Sequence, residues 1–401
     1  MADRPGLRRS LGLPLVTLYG LGNIVGAGIY VLVGKVAGLA GSSTTLSFVI
    51  AMVTAGITAL SYMELSGRYP VSASVSVYLH RAFGRRWLSV AIGLAMVASG
   101  VASAAALAQG FAGYLNTFLS TPTALASVGL LITIGALAIK GISESAKTAA
   151  FFTGLEVLGL VLVIWFGRSA IARMDVGKLL SVDPAVGLSG VFAGAFLAFY
   201  AFIGFEDMVN VAEEAKNPSR TMPLAILLSL LLSAVLYLLV VAVSITVVTP
   251  AELAASNAPL ALVIDRSGNG SVVLLAVIGM VAAINGVIVQ IIMGSRIVYG
   301  LAREGWISRR LATVHGTTRT PVIATLIVLG AMIAGTLLLP LVSLAQITSL
   351  LVLGVFTLVN ASLIAIKRRG GTHPGYIVIP GFVPYLGVAL CAGTIILEII
   401  G

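Results

Sequence analysis

The chain is 401 residues long, 59% apolar and 9% charged, with a formal net charge of +10 and one cysteine. So little charge cannot cover a soluble domain of this size, and apolar runs recur to the last residue, which leaves a polytopic helical membrane protein. The runs are about twice the ten residues of a barrel strand, which excludes a transmembrane β-barrel; Cys391 alone rules out an intramolecular disulfide and any cysteine-rich metal site.

Eleven membrane spans are expected, at 13–34, 43–64, 87–112, 123–139, 148–167, 188–211, 222–248, 271–295, 321–339, 342–366 and 382–400. Before the first stands MADRPGLRRS, which is basic but is followed by no short apolar core with a small-residue cleavage site. Span 1 is therefore read as retained rather than removed. Prolines such as Pro14, Pro122, Pro250, Pro321 and Pro340 fall at span ends, where a missing N–H costs least. The loops are short, the longest expected at about 297–320 and 168–187. With the N-terminus inside, 19 Lys and Arg residues fall in inside segments and 5 outside, namely Lys35, Arg168, Arg173, Lys178 and Arg266. That bias orients the chain in the cytoplasmic membrane, N-terminus inside and C-terminus outside. The basic balance is topology, and no nucleic-acid partner is expected.

Span 1 carries GLGNIVGAG, with Gly20, Gly22, Gly26 and Gly28 around Asn23. Three readings compete. A dinucleotide fingerprint needs a preceding strand and an acid about twenty residues on, and neither is present. Close helix packing through Gly22 and Gly26 needs only a neighbour. An unwound segment at membrane depth is tolerated where it lines a cavity, and is a sequence pointer to a transporter's binding site. In that third reading, N–H groups of Val25, Gly26, Ala27 and Gly28 open a second half-helix and face a carboxylate. Carbonyls of Leu21 to Ile24, Asn23 among them, accept from an ammonium group. Span 6, LSGVFAGAFLAFYAFIGFEDMVNV, is interrupted too, with Gly204 ahead of Glu206 and Asp207. Span 6 comes five spans after span 1, an odd number, so it runs opposite to span 1, as an inverted-topology repeat requires.

Three blocks carry a resemblance: GLGNIVGAGIYVLVG on span 1, FYAFIGFEDMVNVAEEAKNPSRTMPLAI around span 6, and GSRIVYGLAREGWISRRLATVHGTTRTPV between spans 8 and 9. A weaker one, ELSGRYPVSASVSVYLHRAFG, follows span 2, with Ser72-Ala73-Ser74 where Gly-Gly is common. Together they resemble the amino acid–polyamine–organocation (APC) superfamily of transporters, especially its cationic-amino-acid and archaeal/bacterial permease branches. The resemblance covers nearly the whole chain. It implies an all-α polytopic membrane protein with the 5+5 inverted-repeat, leucine-transporter-like fold. Spans 1 and 6 would be discontinuous, the repeats would cover 13–167 and 188–366, and 382–400 would be a peripheral eleventh helix. It further implies an L-amino acid substrate moved by alternating access, with proton symport expected and exchange as the alternative.

By the same resemblance Tyr200, Phe202 and Ile203 line the substrate's side chain, and carbonyls near Ala201 and Phe202 take its amine. Glu206 is a coupling or gating group, or else a structural acceptor for N–H groups freed by the break. In GISESAKTAAFFTGLEVLGLVLVIW, Glu156 stands where proton-coupled members place a lysine, so the lysine mechanism does not carry over. Glu156 is then a titrating coupling group, a cation ligand, or a buried acid paired with a helix end. The family's sodium-binding members use Ser and Thr hydroxyls on span 8, and Val272–Gly294 has neither, which argues against sodium. No extracellular cysteine follows span 3, so no covalent ancillary subunit is expected. His80, His315 and His373 fall in loops without acid partners, and no HExxH, GxSxG or Walker string occurs. Neither a metal, a cofactor nor an enzymatic activity is expected.

Overall fold

The computed structural model describes residues 9–70, 74–141, 146–268, 270–370 and 375–400. Arg4, Arg8, Ser72, Ala73, residues 142–145 and His373 lie outside the described residues. Span 1 forms α1 (Leu13–Val25) and α2 (Ala27–Ala40). There follow α3 (Thr44–Arg68), α4 (Ser74–Phe83), α5 (Arg86–Leu115), α6 (Thr123–Lys140) and α7 (Ala146–Phe166). Two single turns, α8 (Arg168–Ile171) and α9 (Val176–Leu179), lead to α10 (Gly187–Phe199). Span 6 continues in 3₁₀ geometry over Tyr200–Phe202 and Phe205–Glu214. The rest is α11 (Pro218–Val247), α12 (Pro250–Ala255), α13 (Pro259–Arg266), α14 (Val272–Arg303), α15 (Val322–Leu338), α16 (Leu341–Arg368) and α17 (Val383–Ile400).

Among the described residues, nine segments are long and apolar enough to cross a membrane, the first of which, Leu13–Arg68, joins spans 1 and 2. Separating those two and adding the shorter apolar helix Val322–Leu338 gives the eleven expected spans. Several stretches differ from expectation, among them the loop after span 2, where α4 forms and holds His80. Helix α14 runs on to Arg303, because Val298, Leu301 and Ala302 continue its buried face. The stretch after span 7, expected to be a plain loop, folds into α12 and α13. Its signal is local: Thr249 and Glu252 form a capping box around Pro250, and Pro259 opens the second helix.

Helix α11 illustrates how these helices sort their faces. Leu227, Leu228, Leu231, Leu232, Val235 and Leu239 are exposed, while Ser229, Ser233, Ala234 and Tyr237 are buried. Large apolar side chains face outward and small or polar ones face the helix partners, the arrangement of a helix solvated by lipid. Contacts between connections respect two faces. On the arginine-rich face Arg369 donates to the carbonyls of Arg81 (2.8 Å) and Ala82 (2.6 Å), and Thr320 to that of Ile139 (2.8 Å). On the opposite face Lys35 reaches α12, and Ser42 reaches Asp183.

Each face has a polar anchor. Glu64, fully buried, pairs with Arg68 and Lys367 at 2.7 Å each and accepts from the Ile379 N–H (2.9 Å). This ties α3 to α16 and to the connection before α17. Glu64→Gln leaves two cations facing a neutral amide, and part of the few kcal/mol of a broken buried pair is lost. A fall of at least about 2 °C in the melting temperature of the detergent-solubilised protein is expected. On the other face Asp183 accepts from the Ser42 N–H, the Ala185 N–H and the Ser42 hydroxyl, which hold its carboxyl below the usual range. The linkage follows from that depression. Its stabilisation is complete above the ordinary carboxylate value and is lost as pH falls through the lower folded value. Proteolysis of the 168–187 loop should therefore quicken on acidification in the wild type, and Asp183→Asn should already be fast at neutral pH.

Candidate functional site

Four glycines cluster on span 1, yet the helix breaks at one residue. Gly20 and Gly22 are helical, and a Cβ there would strike the Met208 and Thr153 side chains respectively. Those two glycines admit close neighbours; of the pair in the helix-packing reading, Gly22 does so and Gly26 does not. Gly26 turns extended (ψ −171°) and separates α1 from α2. No side chain caps α2 at Gly26, so its first-turn N–H groups lack the usual partner and point into the break. The end of α1 is strapped from outside: Tyr237 of α11 donates to the Ile24 carbonyl (2.6 Å), and Ser229 to that of Thr17 (2.8 Å).

Span 6 breaks at Ile203 and Gly204. Ile203 is extended (φ −69°, ψ 142°) and Gly204 takes φ +129°, a conformation that side chains other than glycine rarely adopt. A Cβ at Gly204 would also collide with the Asn23 carbonyl, so the two breaks touch there. Gly204→Ala should strain the turn and push the breaks apart. We expect the variant to lose at least about tenfold in substrate affinity, measured by scintillation proximity. Other contacts place Gly20 by Met208, Gly28 by Tyr200 and Ala201, and Gly194 by Ala40. As numbers rise along span 1 they fall along span 6, so the two interrupted spans lie antiparallel. Glu206 Oε2 accepts from the Gly204 N–H at 2.8 Å, so this buried carboxylate satisfies a donor freed by the break.

A cavity lies between the breaks, walled by α5 and α14. Asn23, Ile24, Gly26, Gly28, Tyr200, Ile203 and Asp207 line it, with Ser103, Leu107, Asn285, Gly286, Val289 and Gln290 from the facing elements. Tyr200 is fixed by a 2.8 Å bond between its hydroxyl and that of Ser103. Val25, Ala201 and Phe202 are not among the lining residues, and the Ala27 side chain lies outside what the structure describes. Phe202 departs furthest from expectation: its ring is fully buried edge-on against Phe48 of α3 and Tyr237. It supports the wall from behind. A smaller cavity continues toward the arginine-rich face, lined by Met96, Ser99, Gly100, Glu206, Asp207, Met293 and Thr348 among others.

The sequence reading missed Asn285 and Gln290, although amides inside an apolar span are themselves a functional signal. Asn285 reaches both ways. Its Nδ2 donates to Glu156 Oε1 (3.1 Å), and its Oδ1 has no partner among the described residues. Glu156, on α7, is fully buried; it does not line the cavity but sits one residue behind it. Its backbone carbonyl accepts from Tyr30 of α2, so α2 and α14 both bond to α7 at this residue. Among the described residues no group of three His, Cys, Asp or Glu side chains is placed to hold a metal ion.

Residues 11–400 match the sequence profile of the family described as amino acid permease. The chain belongs to the amino acid permease family. It is 31% identical to the branched-chain amino acid permease BcaP of Bacillus subtilis, over 96% of this chain and 87% of that protein. It is 30% identical to the cationic amino acid transporter 4 of Mus musculus, over 92% of this chain and 61% of that longer protein. The methylthioribose transporter of Bacillus subtilis is 26% identical over 92% of this chain and 82% of that protein. In this multi-pass membrane protein the connection after α11 packs onto α2 and α5, two of the elements around the cavity. Lys35 donates to the Ala254 carbonyl (2.7 Å) at the end of α12. Gly34 and Gly113 leave room for the backbone at Leu253 and Asn257, so α12 and the turn after it lie against α2 and α5.

Proposed function

We propose that this permease moves an L-amino acid across the cytoplasmic membrane by alternating access, with a proton travelling alongside. The observation that carries the reading is the cavity between two opposed helix breaks. At its α2 end it offers uncapped N–H groups and the Asn23 amide, donors suited to a carboxylate. Acceptors stand elsewhere on its wall, suited to an ammonium group. That separation matches the common part of every α-amino acid. Spans 1–5 (13–167) and 6–10 (188–366) act as the inverted repeats, with 382–400 peripheral and the N-terminus inside. Glu156 is the coupling group: its carboxyl accepts from Asn285 of the cavity wall, and its backbone carbonyl from Tyr30 of α2. Glu206, bonded to the turn at Gly204, keeps that turn in register as the halves move. Relatives named for branched-chain and cationic amino acids support the substrate class.

The test is uptake into proteoliposomes across a panel of labelled amino acids and amines, with and without an imposed pH gradient. Accumulation above equilibrium that collapses with a protonophore is the expected result. Counterflow without any response to the gradient would replace symport by exchange.

A further inference from the structure

The polar atoms of the cavity are unevenly matched. Asn285 is 7% exposed and lines the cavity, and its Oδ1 has no donor. Five residues on along α14, Gln290 Oε1 is also without a donor, and it lines both the main cavity and its smaller continuation. Asp207, likewise 7% exposed, lines both cavities. Neither a hydrogen bond nor an ion pair reaches its side chain among the described residues, whereas neighbouring Glu206 is occupied by the Gly204 N–H. Three oxygens short of donors thus border one space, and among the described residues no Lys or Arg lines it. Buried acceptors left without donors are costly, so the ligand is expected to bring the missing N–H groups.

We infer that Asp207 is a specificity-determining residue that, with Gln290, takes a second cationic group at the end of the substrate's side chain. This rests on the reading that an amino acid binds at the breaks. The carboxylate sits at the start of α2, the α-ammonium meets Asn285 Oδ1, and the side chain runs along the 3₁₀ segment after Gly204. Three residues of 3₁₀ helix rise about 6 Å, which a side chain of three or four methylenes spans. A terminal ammonium or guanidinium would then reach Asp207 and Gln290 Oε1. A short apolar side chain leaves the carboxylate unpaired in a space too narrow to hydrate it freely. The site therefore favours the charged side chain over an isostere that lacks the charge.

Lysine and norleucine provide that comparison, since they match in chain length and differ in the terminal ammonium. In proteoliposomes carrying the full chain, kcat/KM for lysine should exceed that for norleucine. Asp207→Asn should lower the lysine-to-norleucine ratio at least about thirtyfold, and Asp207→Glu should restore most of it. A ratio unmoved by Asp207→Asn overturns the inference. So does a wild-type protein that takes up norleucine while lysine neither enters nor competes; the amino acid reading would survive that result. If neither compound is bound, the inference and the reading fall together. Should the Asn variant not assemble, thermal stabilisation of the wild type decides. Lysine should then stabilise at about thirtyfold lower concentration than norleucine, and equal potency overturns the inference.

Discussion

Replacing Gly28 with valine is expected to abolish substrate binding while the protein still inserts in the membrane. Gly28 lies in the first turn of α2, and even a methyl group there would stand 3.2 Å from the Ala201 Cα and from two ring carbons of Tyr200. Valine adds two further carbons on a stiff branched side chain. The Tyr200 ring would have to leave its bond to Ser103, or α2 would have to shift off the turn at Gly204. Either way the N–H groups at the start of α2 lose their aim. Overpacking of this kind costs about 3 kcal/mol, equivalent to roughly a hundredfold in affinity. Near-normal affinity in a well-assembled Gly28→Val protein would show that the substrate does not sit between the breaks.

The second large effect is expected at Glu156. A pH difference of one unit is worth about 1.4 kcal/mol per proton, enough to concentrate a co-transported solute about tenfold. Glu156→Gln keeps the volume of the side chain and an oxygen to accept from Asn285, but it has no proton to exchange. Counterflow of labelled against unlabelled substrate should persist, because the cavity and its lining are unchanged. Uphill uptake driven by the gradient should fall to an accumulation ratio near one. If the variant still concentrates substrate, Glu156 is a structural link between α7 and α14. Glu206→Gln would then be the variant to put through the same assay.

Much of the fold was legible because membrane helices advertise themselves by length. The Gly204 break was legible too, since a glycine followed by two acids inside an apolar span sits badly in a continuous lipid-embedded helix. The rest failed for local reasons. Tyr200, Phe202 and Ile203 are adjacent in sequence and were expected to line the cavity together. Within the 3₁₀ turn Phe202 points away from Tyr200, toward α3, and the chain then extends at Ile203, which returns to the cavity. An aromatic run does not reveal that rotation. On span 1 the glycines could not be sorted by sequence: Gly20 and Gly22 serve Met208 and Thr153, and only Gly26 interrupts the helix. Attention to hydroxyls on span 8 passed over Asn285 and Gln290, whose importance depends on facing the cavity rather than lipid. The covering helix α12 was readable from Thr249, Pro250 and Glu252, but a six-residue helix escapes a search tuned to spans.

The most direct measurement is competition against uptake of a labelled amino acid by purified protein in proteoliposomes. The competitors are the free amino acid, its decarboxylated amine and its deaminated acid. If the two breaks hold the ammonium and carboxylate together, the intact amino acid competes and each truncated compound is weaker by at least about thirtyfold. Competition by the amine equal to that of the amino acid would contradict the account, because the N–H groups at the start of α2 would then have no carboxylate to hold.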